Sequence, residues 1–361
     1  MKVKFLVRAL VVIVLAVGCT SRKELSGDNY FSREDFKETK ILNNPEEIVI
    51  EDLLNPASFR VMNDSVLVVG NQSNCDYLLE LYSLNTLQPL VQMITKGNGP
   101  GEMFSCGLGL HSNASSEFYV QDQNANTCYM VNLDTLLYHR RFVPMSKFKY
   151  SSEVLPTSDL CPTGDGRYIG YHMWYLDDKQ FSTVKSPVSF YEEGEDSGKG
   201  MSDYPFFVAS VNGARLFLSP YDRNLWMADM HRDVIRIYND SLREVCTLDG
   251  PDHLSPRYTR KQINAPFAFV TFADDCDYRA YTDYFLTDKS IYLVYEGTKH
   301  FDPQKMSAVE IFKLDYAGNL LCNYKLDRYV YSISVNTSED ILYCASRTSM
   351  MEPPVILKYK L

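Results

Sequence analysis

The feature that most limits what this chain can fold into is an internal repeat with a period of about fifty residues. A short apolar run that follows a polar turn recurs at 65–70, 116–121, 166–171, 223–228, 289–294 and 339–344. The starts are 51, 50, 57, 66 and 50 residues apart. A second, alternating run follows each of them, at 77–84, 127–133, 187–191, 233–238, 308–314 and 354–359. A third run comes next in several units, as at 88–94, 139–143, 243–248 and 319–326, and a further run precedes the first, as at 58–62, 214–218 and 331–335. Alternation bounded by Gly, Pro, Asn, Asp and Ser is the signature of strands, and no amphipathic helix of twelve or more residues stands out.

Four strands per unit and six units predict an all-β chain: a six-bladed β-propeller with four antiparallel strands per blade. The last unit is one strand short, while Glu47–Glu51 stands alone before the first unit. That N-terminal strand is expected to close the last blade. A pair of β-sandwiches and rings of five or seven blades are the alternatives. Unit three is the least regular, with its fourth strand expected at 206–211, beyond a Gly-rich insertion at 194–200. The propeller domain is expected over 46–361.

The N-terminus reads as an address rather than as fold. Lys2, Lys4 and Arg8 precede an apolar run too short to cross a bilayer, which ends in Ala16-Val17-Gly18-Cys19. Small residues before a Cys predict a lipoprotein signal peptide over 1–18, with Cys19 carrying the lipid. An ordinary secretory signal is the alternative. Residues 19–45 are polar and read as a lipidated Cys and a tether, whose deletion from residue 20 should be nearly neutral for stability. Thr20 after the Cys favours an outer-membrane lipoprotein of the cell envelope, with the periplasmic or surface face open. The formal charge is −10, becoming −13 without Lys2, Lys4 and Arg8. Nucleic acid is therefore not an expected partner. The eight remaining cysteines show no C-x-x-C spacing, which gives zinc no support, and most are expected to be small buried hydrophobes.

The connection out of unit one reads Lys96-Gly97-Asn98-Gly99-Pro100-Gly101-Glu102-Met103. With Cys19 and the six units, it resembles the TolB-like six-bladed β-propeller lipoproteins of gut Gram-negative bacteria. That family carries Gly-x-Gly-Pro-Gly-Glu-aromatic here; this chain has Met103-Phe104, one place off. The resemblance implies a fold and an address, and no reaction. By itself the segment reads as an inter-blade turn made by Gly97, Gly99, Pro100, Gly101 and Glu102, with Glu102 accepting backbone N–H groups. No helix follows to present a phosphate site.

Loops after the second strands should surround the channel mouth. They hold Trp174, Tyr175, Asp177, His231, Arg232, His300, Phe301 and Arg347 as a candidate ligand-binding face. Aromatics mixed with acids suit a sugar or peptide. The expected function is a lipid-anchored extracytoplasmic binding module for an unidentified protein, peptide or glycan, with the membrane as partner through Cys19. The alternative is a propeller hydrolase or lyase acting on a glycan or lactone, with acids drawn from Asp159, Asp222 and Asp283. No nucleophile motif, metal spacing or cofactor motif is present, so no catalytic residue, metal or cofactor is assigned.

Overall fold

In the computed structural model each repeat unit forms an antiparallel sheet from strands consecutive in sequence. Described are residues 27–50, 56–71, 75–109, 116–149, 160–163, 167–171, 188–192, 195–200, 213–254, 258–264, 267–272, 278–298, 304, 306–349 and 352–361. Sheet 1 runs Pro56–Met62, Val66–Asn71, Leu79–Ser83 and Pro89–Met93. Sheet 2 runs Gly107–Gly109, Glu117–Asp122, Thr127–Asn132 and Ser146–Lys149. Sheet 3 runs Leu160–Pro162, Arg167–Tyr171, Val188–Glu192 and Glu195–Gly200. Sheet 4 begins at Ala214–Leu218 and continues through Leu225–Asp229 and Val234–Tyr238 to Glu244–Asp249. Sheet 5 runs Arg279–Leu286, Ser290–Thr298, Glu310–Asp315 and Leu320–Leu326. Sheet 6 runs Val330–Val335, Ile341–Ser346 and Val355–Lys360, and takes Glu46–Ile48 as its outer strand.

The arrangement is that of a β-propeller. First strands of successive sheets touch: sheet 1 on 2, 3 on 4, 4 on 5, 5 on 6 and 6 on 1. Sheets 2 and 3 meet through Cys128, Leu160 and Tyr168, with the Phe148 and Tyr168 rings 4.7 Å apart. A second strand sandwiched between neighbouring sheets must be apolar on both faces, as Val66–Asn71 and Leu225–Asp229 are, buried throughout. An outer strand such as Pro89–Met93 alternates instead. Closure is antiparallel, with Ile48 opposite Ile356 and Glu46 opposite Lys358.

The regular six-by-four pattern needs correction. Complete blades, described through the side chains of all their strands, number five, not six: sheets 1, 2, 4, 5 and 6. In sheet 3 the side chains of Val188–Glu192 and Glu195–Gly200 lie outside the described residues. Its fourth strand is Glu195–Gly200, within the Gly-rich insertion, and the expected 206–211 lies outside the described residues. The 139–143 run is no strand either. Residues Leu133–His139 form a helix, because the Asn132 side chain accepts from Thr135 N at 3.1 Å and Arg140 ends it in the left-handed region. The long spacing between units four and five holds a hairpin, Tyr258–Asn264 with Phe267–Phe272.

The tether expectation is also overturned from residue 27 onward. Gly27–Tyr30 adds to sheet 4 parallel to Glu244–Asp249, and Glu38–Leu42 adds to sheet 5 parallel to Leu320–Leu326. Between them Phe31 and Phe36 drop into the seam of sheets 4 and 5 against Phe312. Arg33 forks onto Asp252 at 2.8 and 2.9 Å and reaches Glu310 at 2.6 Å. Composition hid this strap because its strands lie on the rim, with Glu38 and Lys40 toward solvent, and its burial is carried mainly by two aromatics, with Leu42 at its end. The expectation that deletion through residue 45 is neutral is therefore replaced. Phe36→Ala should cost about 3–5 kcal/mol, the usual loss for a buried Phe. Urea unfolding should also show truncation to residue 43 lowering the midpoint well below truncation to residue 26. Equal midpoints would mean the strap is decorative.

Candidate functional site

An innermost propeller strand has one edge with no neighbouring strand. Its free N–H and C=O groups need other partners. Here side chains supply them. Ser334 Oγ accepts from Val61 N at 2.8 Å, and Asp283 Oδ2 accepts from Ile333 N at 2.9 Å. Arg60 Nη1 donates to the Phe59 carbonyl at 2.8 Å, to Ser332 Oγ at 3.2 Å and to the Ile333 carbonyl at 3.3 Å. Its Nη2 lies 3.4 Å from both Asp283 Oδ1 and the Tyr284 carbonyl. Arg215 Nε donates to the Thr282 carbonyl at 2.8 Å. Sheets 1, 4, 5 and 6 are thereby stitched at the hub.

Around this hub lies a cavity of about 550 Å³. Its lining draws on the first strand of every sheet: Ser58 and Arg60, Gly107 to Gly109, Leu160, Arg215, Asp283 and Tyr284, and Tyr331 and Ser332. Asn71, Lys96, Phe104, Ser105, Gln121, Gln123 and Asn124 complete it. Arg60, at 4% exposure, belongs to the floor, and Phe104, at 40%, to the rim. Burial and the nearby Cys128 and Glu117 push the Tyr119 phenol up to about 12, so it stays a neutral donor and acceptor. Burial likewise pushes the Cys128 thiol up to about 12 and the Cys106 thiol higher still. Neither lining thiol is a thiolate nucleophile near neutral pH.

The rim is set by the segment after sheet 1. Lys96 bridges Met103, and Gly97 N donates to the Met103 carbonyl at 3.0 Å. Glu102 folds its carboxylate back onto the turn, accepting from Gly99 N at 2.7 Å. A Cβ on Gly97 would lie 2.1 Å from that carboxylate, so a larger residue there would push Glu102 off the turn. Met103 is buried in the core, which leaves Phe104 to face outward at the cavity. Phe104 N donates to Asp122 Oδ2 at 2.9 Å, and Ser105 Oγ to Asp122 Oδ1 at 3.1 Å.

Of the residues selected from loop position, the described ones, His231, Arg232 and Arg347, are not among those lining this cavity. His231 Nδ1 is 2.7 Å from the Tyr278 carbonyl. Arg232 binds Asp229 at 2.5 and 2.9 Å, where Arg236 joins it. Arg347 stacks over the Tyr331 ring at 5.3 Å, behind the cavity wall. Trp174, Tyr175, Asp177, His300, Phe301, Cys19 and Asp159 lie outside the described residues. Of the candidate acids, Asp283 reaches the cavity, whereas Asp222 caps an exposed turn at Asn224. Reasoning from the loops after the second strands does lead close to Asn71, Gln123 and Asn124. It missed Arg60 and Arg215. Their signal was a cation inside an otherwise apolar innermost run. No disulfide joins any two of the seven described cysteines, and six of them are buried. No group of three or more metal-binding side chains occurs among the described residues.

No family model matches the chain, and no curated protein matches it. Among solved structures it is similar to a member of the DUF4221 family from Bacteroides vulgatus, with TM-score 0.57 and 10% identity, covering 88% of this chain and 97% of that one. A protein described as exported, from Bacteroides fragilis, matches at TM-score 0.45 and 10% identity over 90% and 99% of the two chains. The first likeness is one of fold. The TolB-like lipoprotein family is not confirmed by these matches.

The hub pair is open to direct test. Asp283→Asn and Arg60→Met should each destabilise by about 3–5 kcal/mol, because each leaves a buried charge without its partner. The double variant should lose less than the sum of the two, a coupling that urea unfolding of all four proteins measures.

Proposed function

We propose that this chain is a binding module that takes a polar ligand, best matched by a glycan, in its central cavity. The observation that carries the reading is the composition of the cavity wall. Amides and hydroxyls of Gln121, Gln123, Asn124, Ser58, Ser105 and Tyr119 converge beneath an exposed aromatic, Phe104. Sugar rings present hydroxyls to amides and C–H faces to aromatics, and such a wall serves both. The hydrolase reading needs two carboxylates roughly 5–9 Å apart over the channel. Among the described residues Asp283 is the one carboxylate lining the cavity, and it is engaged by Arg60 and Ile333 N. The wall therefore favours binding over bond cleavage.

The proposal extends to address and blade number. Sheet 3 contributes Leu160 to the same cavity wall and so would serve as the sixth blade. Cys19 would carry lipid and hold the propeller at the outer membrane of the cell envelope, in the manner of the TolB-like lipoproteins. A fold-level likeness to a DUF4221 member from Bacteroides is compatible with this. No helix of the described residues is long and apolar enough to cross a membrane.

An oligosaccharide array probed with the protein tests the binding reading. Phe104→Ala should weaken any hit by about 1–2 kcal/mol, the scale of one lost aromatic anchor, while the melting temperature holds. Hits that ignore Phe104 would place binding elsewhere. For the anchor, Cys19→Ser should abolish labelling by a fatty-acid probe in cells; a labelled Cys19→Ser protein would remove the lipoprotein reading.

A further inference from the structure

A run of uncompensated positive charge lies away from the cavity, on the outer rim of sheet 2. Between the helix and the end of the fourth strand, residues 135–149 hold Arg140, Arg141, Lys147 and Lys149 and no acid, in a chain of net charge −10. All four cations are exposed and make no ion pair among the described residues. Packing gathers them into one patch. The Phe142 ring meets the Tyr129 ring edge-on at 5.3 Å, and Lys147 Nζ lies over the same Tyr129 ring at 5.4 Å. Arg141, next to Phe142, is thereby brought beside Lys147. Lys149 follows about 7 Å further along the same side of the strand, because Phe148 between them turns into the seam of sheets 2 and 3. Tyr138, 82% exposed, and Met145, 51% exposed, flank the two arginines.

The position of this patch on the ring is informative. Strands of sheet 2 alternate in direction, so the fourth strand begins at the end where the first strand finishes. First strands begin, and second strands finish, at the opposite end. That opposite end is the cavity mouth, lined by Gly107, Gln123 and Asn124 of sheet 2 and by Arg215 at the start of sheet 4. Gly27 pairs with Cys246 near the start of the fourth strand of sheet 4. The chain thus enters the fold on the same side of the ring as the patch. Cys19 lies eight residues earlier, a reach of about 29 Å at most. The matching turns of sheets 4 and 5 carry Asp240 and Asp315 instead, so the positive charge belongs to sheet 2.

We infer that this rim of sheet 2 docks on anionic lipid headgroups, which turns the cavity mouth away from the membrane. Arg and Lys near a bilayer surface are drawn to lipid phosphates, and an exposed Tyr settles at headgroup depth. Long basic side chains keep their charge in the headgroups while Met145 enters the boundary. Charge alone suits an acidic protein equally; the entry of the chain on the same side favours the membrane. The inference goes beyond the binding-module reading and does not need a glycan ligand.

The test is co-sedimentation of the chain from Thr20 onward with vesicles of phosphatidylcholine alone, or mixed about two to one with phosphatidylglycerol. Salt of about 0.1 M sets a Debye length of about 10 Å, so acids on other blades are screened from the contact. The mixed vesicles should carry the protein down and the neutral ones should not. Arg141→Gln, Lys147→Gln and Lys149→Gln together should weaken binding about ten-fold or more, with the melting temperature held, since all three are exposed. Arg140 is left in place because it ends the helix. A control triple of exposed cations on sheets 4 and 5, Arg243→Gln, Lys289→Gln and Lys325→Gln, should change binding by less than about two-fold. In the vesicle-bound protein a photoreactive phenylalanine analogue at position 145 should capture lipid, and one at position 123, at the cavity mouth, should not. Protein that stays in the supernatant with both vesicles would overturn the inference and leave the patch to an acidic protein. Equal losses in the two triple variants, or lipid captured at 123 rather than 145, would overturn it as well. None of these outcomes depends on acylation of Cys19, which fatty-acid labelling tests separately.

Discussion

Every strand in a ring of sheets has two edges, and the innermost strand can pair on only one of them. The structure depends on how that open inner edge is satisfied. Backbone groups facing the channel are met by Ser332, Ser334, Asp283, Arg60 and Arg215 rather than by another strand. Because the partners come from neighbouring or next-neighbouring sheets, satisfying the edge also fixes the sheets relative to one another. Arg60 of sheet 1 touches sheets 5 and 6 at once. The same requirement fills the hub with polar groups that surround an open volume. Stability and the polarity of the cavity wall share one cause.

The outer edges are handled differently. A rim strand exposes a full ladder to solvent and to other chains, which invites unwanted pairing. Sheets 4 and 5 receive a parallel strand each from one N-terminal strap, and sheet 6 receives Glu46–Ile48. Residues 27–48 thus attach to three consecutive blades before the repeats begin. The strap is held by Phe31 and Phe36 and by the Arg33 fork, which also stacks 5.8 Å from the Tyr295 ring. If Cys19 is the membrane anchor, the strap is also where tension from the membrane would enter the fold, through two blades and not through one strand.

The segment 96–106 shows how a local motif becomes a site. Gly97 and Gly99 leave the space in which the Glu102 carboxylate sits. That folded-back acid fixes the turn, and the turn decides which of two adjacent apolar residues goes inward. Met103 does, and Phe104 is left at the cavity rim.

Much of the fold was legible in the chain because strand alternation and turn residues are local. The fifty-residue repeat located the second and third strands of every unit, and the orphan strand near residue 47 located the closure. Local signals failed where a tertiary partner decided. The 27–42 strap carries no apolar period, since its burial comes from Leu42 and from two aromatics filling a seam formed more than 200 residues later. The strand at Glu195–Gly200 and the helix at Leu133–His139 were read otherwise. For the helix the deciding groups were the Asn132 cap and the left-handed Arg140. The site was the least legible part. Arg60, Arg215 and Asp283 come from three separate units and Phe104 from the connection after the first, and only closing the ring brings them around one volume. Sequence alone determined that this chain is built of repeated strands; the tertiary structure decided what they enclose, because an inner edge has no partner until its neighbours are in place.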